Sequence, residues 1–593
     1  MGGIVSSMND IDTLPKRLQH LSEEDPNKEL YVFYNRGVRD AYTSRELFTL
    51  GGRFAHRLRQ QGFQKGDVIA NTLPNSPERL ITDVGIIMAG CVAMNGQAVL
   101  ADGSDFFQSA KVSRCGAVIM ADEGSGWQLL HKFLKNEKND EMLSPLSVKE
   151  APELKWAIII SRRNQNLLQD LKTKSQEMFV CPLDTEDVVV VLTTSGSTGY
   201  SKLVPRTHRE IIVVSVCRSA MISPDVEWAE SREKQFLFYS DRMMGWAADH
   251  SFYTLCQAET RVMLDLFSKP PDRDIYVEMW EALEAERCKM CTLLLPELEH
   301  LMESLRMPSG PKNKLKLIIT GAQPYRKSQL KKFFNFSDNV YVVYGSTEVC
   351  YMSGKYAKEE SYTSNNCGHA VNGMILKVCR DNGEQCQANE TGTIFAKGQY
   401  VFRGYFNLLE KPTQSSAVFT PDAWFNTEDY GFFNDEGDLH VFGRLKDVIM
   451  YGPTVFYPGW MEKRLAEHPD ILDVFIVPVT DPVLYQNICA YVRMKKDSHL
   501  SQDELKDYCD AIFLSEASPG LITKPKYFII TKEDFPTTLT GKTDKQLLKR
   551  KAEELFGCGA KLGTFDAMLW FHLFNISCIL QFVIFRFLNS FNF

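Results

Sequence analysis

Short, mostly apolar runs that end abruptly in polar loops recur along this chain. Residues 187–192 (DVVVVL), 315–320 (LKLIIT) and 340–344 (VYVVY) are such runs, and glycine or hydroxyl-bearing residues follow each of them. Apolar runs of this length between turn signals are typical of buried strands. Because α/β proteins bind ligands at the carboxyl ends of their strands, the three loops are predicted to bind a ligand.

The segments around these runs alternate between strand and helix patterns. ELYVFY at 29–34 predicts a strand, and residues 43–61 combine a capping pattern with a helical period. The stretch 367–444 is rich in glycine and closely spaced turn signals, which predicts a small β subdomain. Beyond it, about 110 residues with helix–strand–strand character predict a second domain of ordinary size.

The loop at 193–202, TTSGSTGYSK, carries the chemistry of a phosphate site. Glycines let the backbone approach a phosphate closely, hydroxyls donate hydrogen bonds, and Lys202 adds a positive charge. Gly196 and Gly199 lie too close together for a Walker A motif, which has four residues between its glycines. A flexible glycine/serine linker is the alternative, but a linker requires neither the preceding strand nor the lysine.

Composition and charge argue against several other classes of protein. The chain has 593 residues, 44% apolar and 24% charged, as expected for a globular protein of more than one domain. Its net charge is −8 without a long basic run, which argues against nucleic-acid binding. Its fifteen cysteines are expected to be reduced thiols. Cys288 and Cys291 lack the second pair that a structural zinc site requires.

In its spacing, the 193–202 loop resembles the phosphate loop of the adenylate-forming superfamily, which includes acyl-CoA synthetases, luciferases and peptide-synthetase adenylation domains. Ser201 and Leu203 stand where that loop usually has proline and a second glycine. The resemblance covers roughly residues 30–555, with six or more motifs in the family's order, and is greatest to fatty acyl-CoA synthetases.

The resemblance implies an α/β fold with a large N-terminal AMP-binding domain over residues 1–445. That domain would contain two α/β sheets and a small β subdomain. A smaller, mobile α+β domain would follow over residues 446–556, and residues 557–593 would form a hydrophobic tail.

The resemblance also implies a role for residues on each loop. Tyr344 would stack on adenine, Asp429 would bind the ribose hydroxyls, and Glu348 would bind Mg2+. These roles agree with the chemistry, because a base stacks on an aromatic ring and a hard cation binds anionic oxygen. The residues implied to bind ATP are Thr194, Ser195, Gly196, Ser197, Thr198, Gly199, Gly321, Ala322, Gln323, Tyr344, Gly345, Asp429, Arg444 and the hinge residue Lys446. Those implied to act in catalysis are Lys202, Thr347, Glu348 and Lys542.

Together these residues imply an ATP-dependent acyl-CoA synthetase that uses ATP, Mg2+, CoA and a carboxylic acid, which we expect to be a fatty acid. The acid would attack the α-phosphate and release pyrophosphate, and the CoA thiolate would then attack the acyl-adenylate. Between the steps the small domain would swing about its hinge and withdraw Lys542. Pro453 and Trp460 stand where the family has glycine and glutamate. Two alternatives therefore stay open: an enzyme with a non-CoA acceptor, and an inactive scaffold or regulator.

Several other positions have more than one interpretation. His208 follows a threonine, as in the family, and is either a helix-start or core histidine or a catalytic group. Trp246 either shapes the acyl pocket or is an ordinary core residue. Asn75 and Glu78 are expected to be turn and capping residues.

The terminal segments bear on localisation. The N-terminus lacks the pattern of a signal peptide, and its glycine and serine fit a short myristoylation pattern. Residues 567–585 run nineteen positions without a charged side chain, close to the ~20 that a membrane-spanning helix needs. A tail anchor on a cytosol-facing enzyme and an interfacial or partner-binding helix are both open interpretations. No SKL-type peroxisomal signal ends the sequence.

Overall fold

The structure is a computed structural model that describes residues 12–557 apart from short gaps. The gaps are 97–102, 136–141, 164–165, 174–176, 195–200, 222–236, 268–273, 307–309, 312–313, 324, 326, 407–417, 445–446, 448, 452–453, 457, 482–484, 515–523 and 538–542. No helix among the described residues is both long and apolar enough to cross a membrane. The segment 567–585 lies outside these residues, and the membrane anchor stays a prediction.

The helices of the described residues are distributed along the whole chain. In order they are α1 (Leu14–Glu24), α2 (Ser44–Gln60), α3 (Pro77–Met88), α4 (Ser104–Val112), α5 (Gly124–Leu130), α6 (Leu167–Thr173), α7 (His208–Met221), α8 (Ser251–Gln257), α9 (Ile275–Ala285), α10 (Leu295–Ser304), α11 (Lys327–Phe334), α12 (Pro458–Leu465), α13 (Gln502–Leu514) and α14 (Lys545–Phe556).

The strands are short and numerous. In order they are β1 (Glu29–Asn35), β2 (Val38–Thr43), β3 (Val68–Asn71), β4 (Val92–Asn95), β5 (Ala117–Ala121), β6 (Ser144–Pro145), β7 (Trp156–Ile160), β8 (Val188–Thr193), β9 (Leu203–Thr207), β10 (Leu237–Tyr239), β11 (Thr260–Leu264), β12 (Met290–Thr292), β13 (Leu317–Gly321), β14 (Val340–Tyr344), β15 (Ser353–Ala357), β16 (His369–Ala370), β17 (Met374–Cys379), β18 (Gly392–Gly398), β19 (Phe425–Phe433), β20 (Leu439–Arg444), β21 (Ile449–Tyr451), β22 (Thr454–Phe456), β23 (Ile471–Asp481), β24 (Tyr485–Met494) and β25 (Tyr527–Thr531).

Two large, mainly parallel sheets form most of the fold. The first has the order β16-β15-β14-β13-β12-β10-β11-β1-β2 and is parallel from β14 to β1. The second has the order β6-β7-β5-β3-β4-β8-β9 and is parallel from β7 to β8. Parallel strands are buried on both faces, which explains their nearly continuous apolar runs. The predicted α/β fold class is confirmed.

Helix α2 forms where capping and periodicity coincide. The Thr43 hydroxyl accepts from the Glu46 amide at 3.2 Å, and the Glu46 carboxylate accepts from the Thr43 amide at 3.0 Å. This reciprocal capping box satisfies two backbone donors that helix geometry leaves unpaired. The apolar residues that follow at helical spacing are all buried, namely Leu47, Leu50, Phe54 and Leu58.

Helix α3 is buried along its whole length, as expected for a helix in the interior of a large domain. Its cap is Ser76, whose hydroxyl accepts from the Arg79 amide at 3.1 Å. Asn75 lies in the turn before the helix, as expected, whereas Glu78 lies in the first helical turn and does not cap it. The two oxygens of the Glu78 carboxylate accept from Nε and Nη2 of Arg162 at 2.7 and 2.5 Å. The Asn75 side chain donates to the backbone carbonyls of Asp241 and Arg242.

The described residues divide into two compact units. One lies within Met1–Asp447 and Pro536–Asp544, and the other within Val448–Phe535 and Lys545–Phe593. The first contains both large sheets and an antiparallel sheet, β17-β18-β19-β20, which corresponds to the predicted small β subdomain. The second contains the sheet β22-β21-β24-β23, with β25 beside β24, and its own apolar core.

Candidate functional site

The candidate site is formed by the loops after β8, β13 and β14 together with β19 and β20. Gly321 ends β13 and Tyr344 ends β14, and these two strands are parallel neighbours in the first sheet. Ala322 and Gln323 follow Gly321 and are partly exposed. Thr193 ends β8 in the second sheet. The phosphate loop therefore comes from a different sheet than the other two loops.

Tyr344, Asp429 and Arg444 form one connected polar group. The Tyr344 hydroxyl donates to Oδ2 of Asp429 at 2.6 Å, and Nε of Arg444 lies 3.0 Å from Oδ1. Strands β19 and β20 place Asp429 and Arg444 opposite each other in register. Burial and the Asp429 carboxylate raise the pKa of Tyr344 well above its usual value, so this hydroxyl stays protonated. Tyr344 and Arg444 thus fix the Asp429 carboxylate.

Backbone conformation at two positions of the site is unusual for the residues present. Glu428, which precedes Asp429 in β19, has φ 58°, and Ala322, which follows β13, has φ 67°. The left-handed region is unfavourable for residues with a Cβ by roughly 1–2 kcal/mol. Glu428 lies where the pairing of β19 with β18 shifts register, and glycine would adopt this conformation with less strain.

A second polar group joins Glu348 and Lys202 through Tyr405. The Tyr405 hydroxyl donates to Oε1 of Glu348 at 2.7 Å, and Nζ of Lys202 lies 3.5 Å from the same hydroxyl oxygen. Lys202 Nζ also lies 4.9 Å from the centre of the Tyr405 ring. Glu348 is buried, with 7% of its surface exposed. Glu348 and Lys202, both predicted to act in catalysis, therefore contact the same tyrosine.

The loop from Gly345 to Cys350 is closed tightly. A Cβ on Gly345 would lie 1.8 Å from the Cys350 carbonyl oxygen, so only glycine fits there. The Cys350 amide donates to the Ser346 carbonyl at 2.7 Å. The Ser346 hydroxyl oxygen is buried with no hydrogen-bond partner among the described residues, which leaves it available to a ligand.

Arg206 braces this loop from β9. Its guanidinium is fully buried and donates to the Thr347 carbonyl at 3.0 Å and to the Tyr400 carbonyl at 2.7 Å. Arg206 therefore connects the strand after the phosphate loop to the Thr347–Glu348 backbone and to the segment that carries Tyr405. Buried guanidinium groups require such partners, because their desolvation is costly.

The two ends of the phosphate loop are held together. The Thr194 amide donates to the Lys202 carbonyl at 3.0 Å, and the Lys202 amide donates to the Thr194 hydroxyl at 3.0 Å. Leu203, which follows, is buried in the core. The five predicted residues between these ends, Ser195, Gly196, Ser197, Thr198 and Gly199, lie outside the described residues. The predicted Lys446 and Lys542 also lie outside them.

His208 is a buried structural residue. It begins α7, and its Nδ1 accepts from the Leu14 amide at 3.2 Å. Burial lowers the pKa of His208 to about 4, so the ring is neutral near pH 7. The core interpretation of His208 therefore explains its contacts.

Arg242 and Trp246 lie after β10, near the same edge of the first sheet. The Arg242 guanidinium pairs with Glu297 and lies 5.7 Å from the centre of the Trp246 ring. The Asn75 side chain holds this turn, since its amide donates to the Asp241 carbonyl at 3.0 Å and its oxygen accepts from the Met244 amide at 3.0 Å.

Sequence reasoning missed Tyr405 and Arg206. Arg206 had a usable signal, because an arginine in the otherwise uncharged, buried run LVPRT of β9 needs partners inside the protein. Tyr405 had none, since its partner Glu348 is 57 residues away.

Comparison with known proteins finds relatives over nearly the whole chain. A family described as AMP-binding enzyme matches residues 18–406, and one described as AMP-binding enzyme C-terminal domain matches residues 461–542. The putative acyl-CoA synthetase YngI of Bacillus subtilis is 24% identical over 573 residues, covering 92% of this chain and 98% of the relative. The mitochondrial medium-chain acyl-CoA ligase ACSF2 of Danio rerio is 23% identical over 590 residues, covering 94% and 91%.

A solved structure with a similar fold is the o-succinylbenzoate coenzyme A synthetase MenE from Bacillus subtilis in complex with ATP and a magnesium ion. It has a TM-score of 0.70 at 20% identity, covering 90% of this chain and 99% of that one. A likeness at this identity establishes the fold.

Proposed function

This chain belongs to the AMP-binding enzyme family, and from that premise we propose that it is an AMP-forming acyl-CoA synthetase whose acid substrate is a fatty acid. The observation that carries the proposal is the pair of polar groups at one site. Tyr344, Asp429 and Arg444 offer an aromatic ring and a fixed carboxylate for a nucleoside. Glu348 and Lys202 offer an anion and a cation for a metal and phosphates.

Adenylation joins a carboxylate to the α-phosphorus of ATP and breaks the bond to pyrophosphate. The main obstacle is repulsion between the acid and the triphosphate, so positive charge near the phosphates lowers the barrier. Lys202 supplies such charge at the end of the phosphate loop. Asp429 and Tyr344 orient the nucleoside, and orientation removes much of the entropic part of the barrier.

The residues present fit a magnesium ion. Mg2+ binds in such sites through one or two carboxylates together with substrate phosphates, and Glu348 is a buried carboxylate that Tyr405 engages at Oε1. The Ser346 hydroxyl, unpaired within the described part of the chain, is a further oxygen on the same loop. When bound, Mg2+ would neutralise charge on the phosphates.

The proposal of a fatty acid rests on the relatives and on the segment after β10. YngI and ACSF2 are named for acyl and medium-chain acyl substrates, whereas MenE is named for an aromatic dicarboxylic one. The charge of Arg242 is balanced here by Glu297, which favours an uncharged acyl chain over a second carboxylate. Trp246 beside it adds apolar surface.

Pyrophosphate exchange into ATP tests the first step. Purified protein would receive Mg2+, ATP, labelled pyrophosphate and, in turn, acetate, octanoate, palmitate, 4-coumarate and o-succinylbenzoate. We expect exchange with a fatty acid and none without acid, and Glu348→Gln should abolish it. Exchange only with an aromatic acid would contradict the fatty-acid proposal. Absence of exchange with every acid would favour the inactive alternative.

Addition of CoA tests the second step. We expect the thioester of the same acid that supports exchange. Exchange without thioester formation would favour a non-CoA acceptor.

A further inference from the structure

Tyr405 connects two residues that the proposed reaction needs. Glu348 lies on the loop after β14, and Lys202 lies on the loop before β9 of the other large sheet. Its hydroxyl has one proton, and that proton goes to Oε1 of Glu348 at 2.7 Å. Lys202 Nζ, 3.5 Å from the same oxygen, is therefore the donor on the other side. Lys202 therefore donates to the Tyr405 hydroxyl, and the Tyr405 hydroxyl donates to the Glu348 carboxylate.

The segment that leads into Tyr405 is held to the site by two hydrogen bonds. The Phe402 amide donates to the Glu348 carbonyl at 3.0 Å, and Arg206 donates to the Tyr400 carbonyl at 2.7 Å. Gly404 has φ 141°, a conformation that residues with a Cβ rarely adopt, and it turns the chain into Tyr405. These contacts fix the backbone that leads into Tyr405.

The Tyr405 ring is also held by its neighbours. It packs against Phe402 with ring centres 4.9 Å apart in an edge-to-face arrangement. A ring held in this way presents its hydroxyl to Glu348 from a fixed direction, which is suited to fixing the orientation of a carboxylate.

We propose that Tyr405 is a positioning residue of the site, whose hydroxyl orients the Glu348 carboxylate for the metal of the Mg2+–ATP complex and holds Lys202 next to it. Without this hydrogen bond, the Glu348 side chain would be ordered only when the metal binds, and the metal would bind more weakly. The inference rests on the proposed function, since it assumes that Glu348 meets the metal.

Calorimetric titration with a non-hydrolysable ATP analogue, with and without Mg2+, tests the inference without turnover. In the wild type, Mg2+ should tighten binding of the analogue. Tyr405→Phe keeps the ring and removes the hydroxyl, and it should reduce that tightening about tenfold, the loss typical of a hydrogen bond to a charged group. The matched control is Tyr362→Phe, which removes another buried hydroxyl, one that donates to the Tyr325 carbonyl at 3.4 Å. It should bind within about twofold of the wild type with and without Mg2+.

Two outcomes would overturn the inference. One is a Tyr405→Phe variant that retains the full Mg2+ effect. The other is an equal weakening with and without Mg2+, which would mean that Tyr405 only supports the fold. If Tyr405→Phe fails to fold, Tyr405→Met replaces it, because methionine also lacks the hydroxyl and its flexible side chain can fill the space of the ring. It must then show the same selective loss.

The result also separates this inference from the proposed function. A wild type that binds the analogue in an Mg2+-dependent manner but catalyses no acid-dependent exchange would contradict the proposed reaction and leave the role of Tyr405 intact. A wild type that does not bind the analogue with Mg2+ would contradict both.

Discussion

Asparagine at position 429 should weaken ATP binding severely while leaving the fold intact. The Asp429 carboxylate accepts from the Tyr344 hydroxyl at 2.6 Å and faces Nε of Arg444 at 3.0 Å. Asparagine has the same shape but only one acceptor oxygen. Because Arg444 can only donate, that oxygen must face Arg444, and the amide nitrogen then faces Tyr344, whose hydroxyl can rotate to accept.

The magnitude follows from what a ribose would lose. In the wild type, the proposed acceptor of a ribose hydroxyl is a charged carboxylate. In Asp429→Asn one oxygen is replaced by a donor and the charge is absent. Hydrogen bonds to charged groups contribute about 1.5–3 kcal/mol, so the dissociation constant for ATP should rise by roughly 10- to 150-fold. The free energy of unfolding should change little, because Arg444 is 38% exposed and water can hydrate its guanidinium.

Calorimetric titration of ATP with Mg2+, alongside urea unfolding, measures both effects. The matched control is Glu428→Gln, which neutralises the adjacent carboxylate, 53% exposed and 3.8 Å from Arg444. It should bind ATP within about twofold of the wild type, as surface substitutions usually have small effects. An Asp429→Asn protein that binds ATP as tightly as the wild type would refute the assignment of Asp429 to the ribose.

Three further predictions concern other positions. Glu428→Gly should raise the free energy of unfolding by about 1 kcal/mol in urea titrations, because φ 58° is strained for glutamate; lower stability would contradict the strain argument. Lys542→Ala should abolish acid-dependent pyrophosphate exchange but spare thioester formation from supplied acyl-adenylate; equal loss of both would contradict the domain swing. Burial lowers the pKa of His208 to about 4, so the unfolded chain binds more protons between about pH 6.5 and 4, and stability falls as pH falls through this window. His208→Asn should reduce that fall by up to about 3 kcal/mol in urea titrations at several pH values, and an unchanged fall would exclude His208 as its source.

The strands and their loops were predictable because each depends on local pattern. The run at 340–344 is β14 with Tyr344 at its end, and the capping pattern at Thr43 begins α2. Such features depend on residues within a few positions of one another, where periodicity and capping chemistry act.

Contacts between distant segments were not predictable. The neutral state of His208 follows from burial beside Leu14, 194 residues earlier in the chain. The link from Lys202 through Tyr405 to Glu348 joins loops that belong to two different sheets. No local sequence pattern encodes such a contact.

We propose that this chain joins a fatty acid to CoA and cleaves ATP to AMP and pyrophosphate. Mass spectrometry can quantify all products after incubation of the full chain with Mg2+, ATP, CoA and the acid that supports exchange. We expect one AMP and one acyl-CoA for each molecule of acid consumed. Formation of ADP in place of AMP, or AMP without an equal amount of thioester, would contradict it.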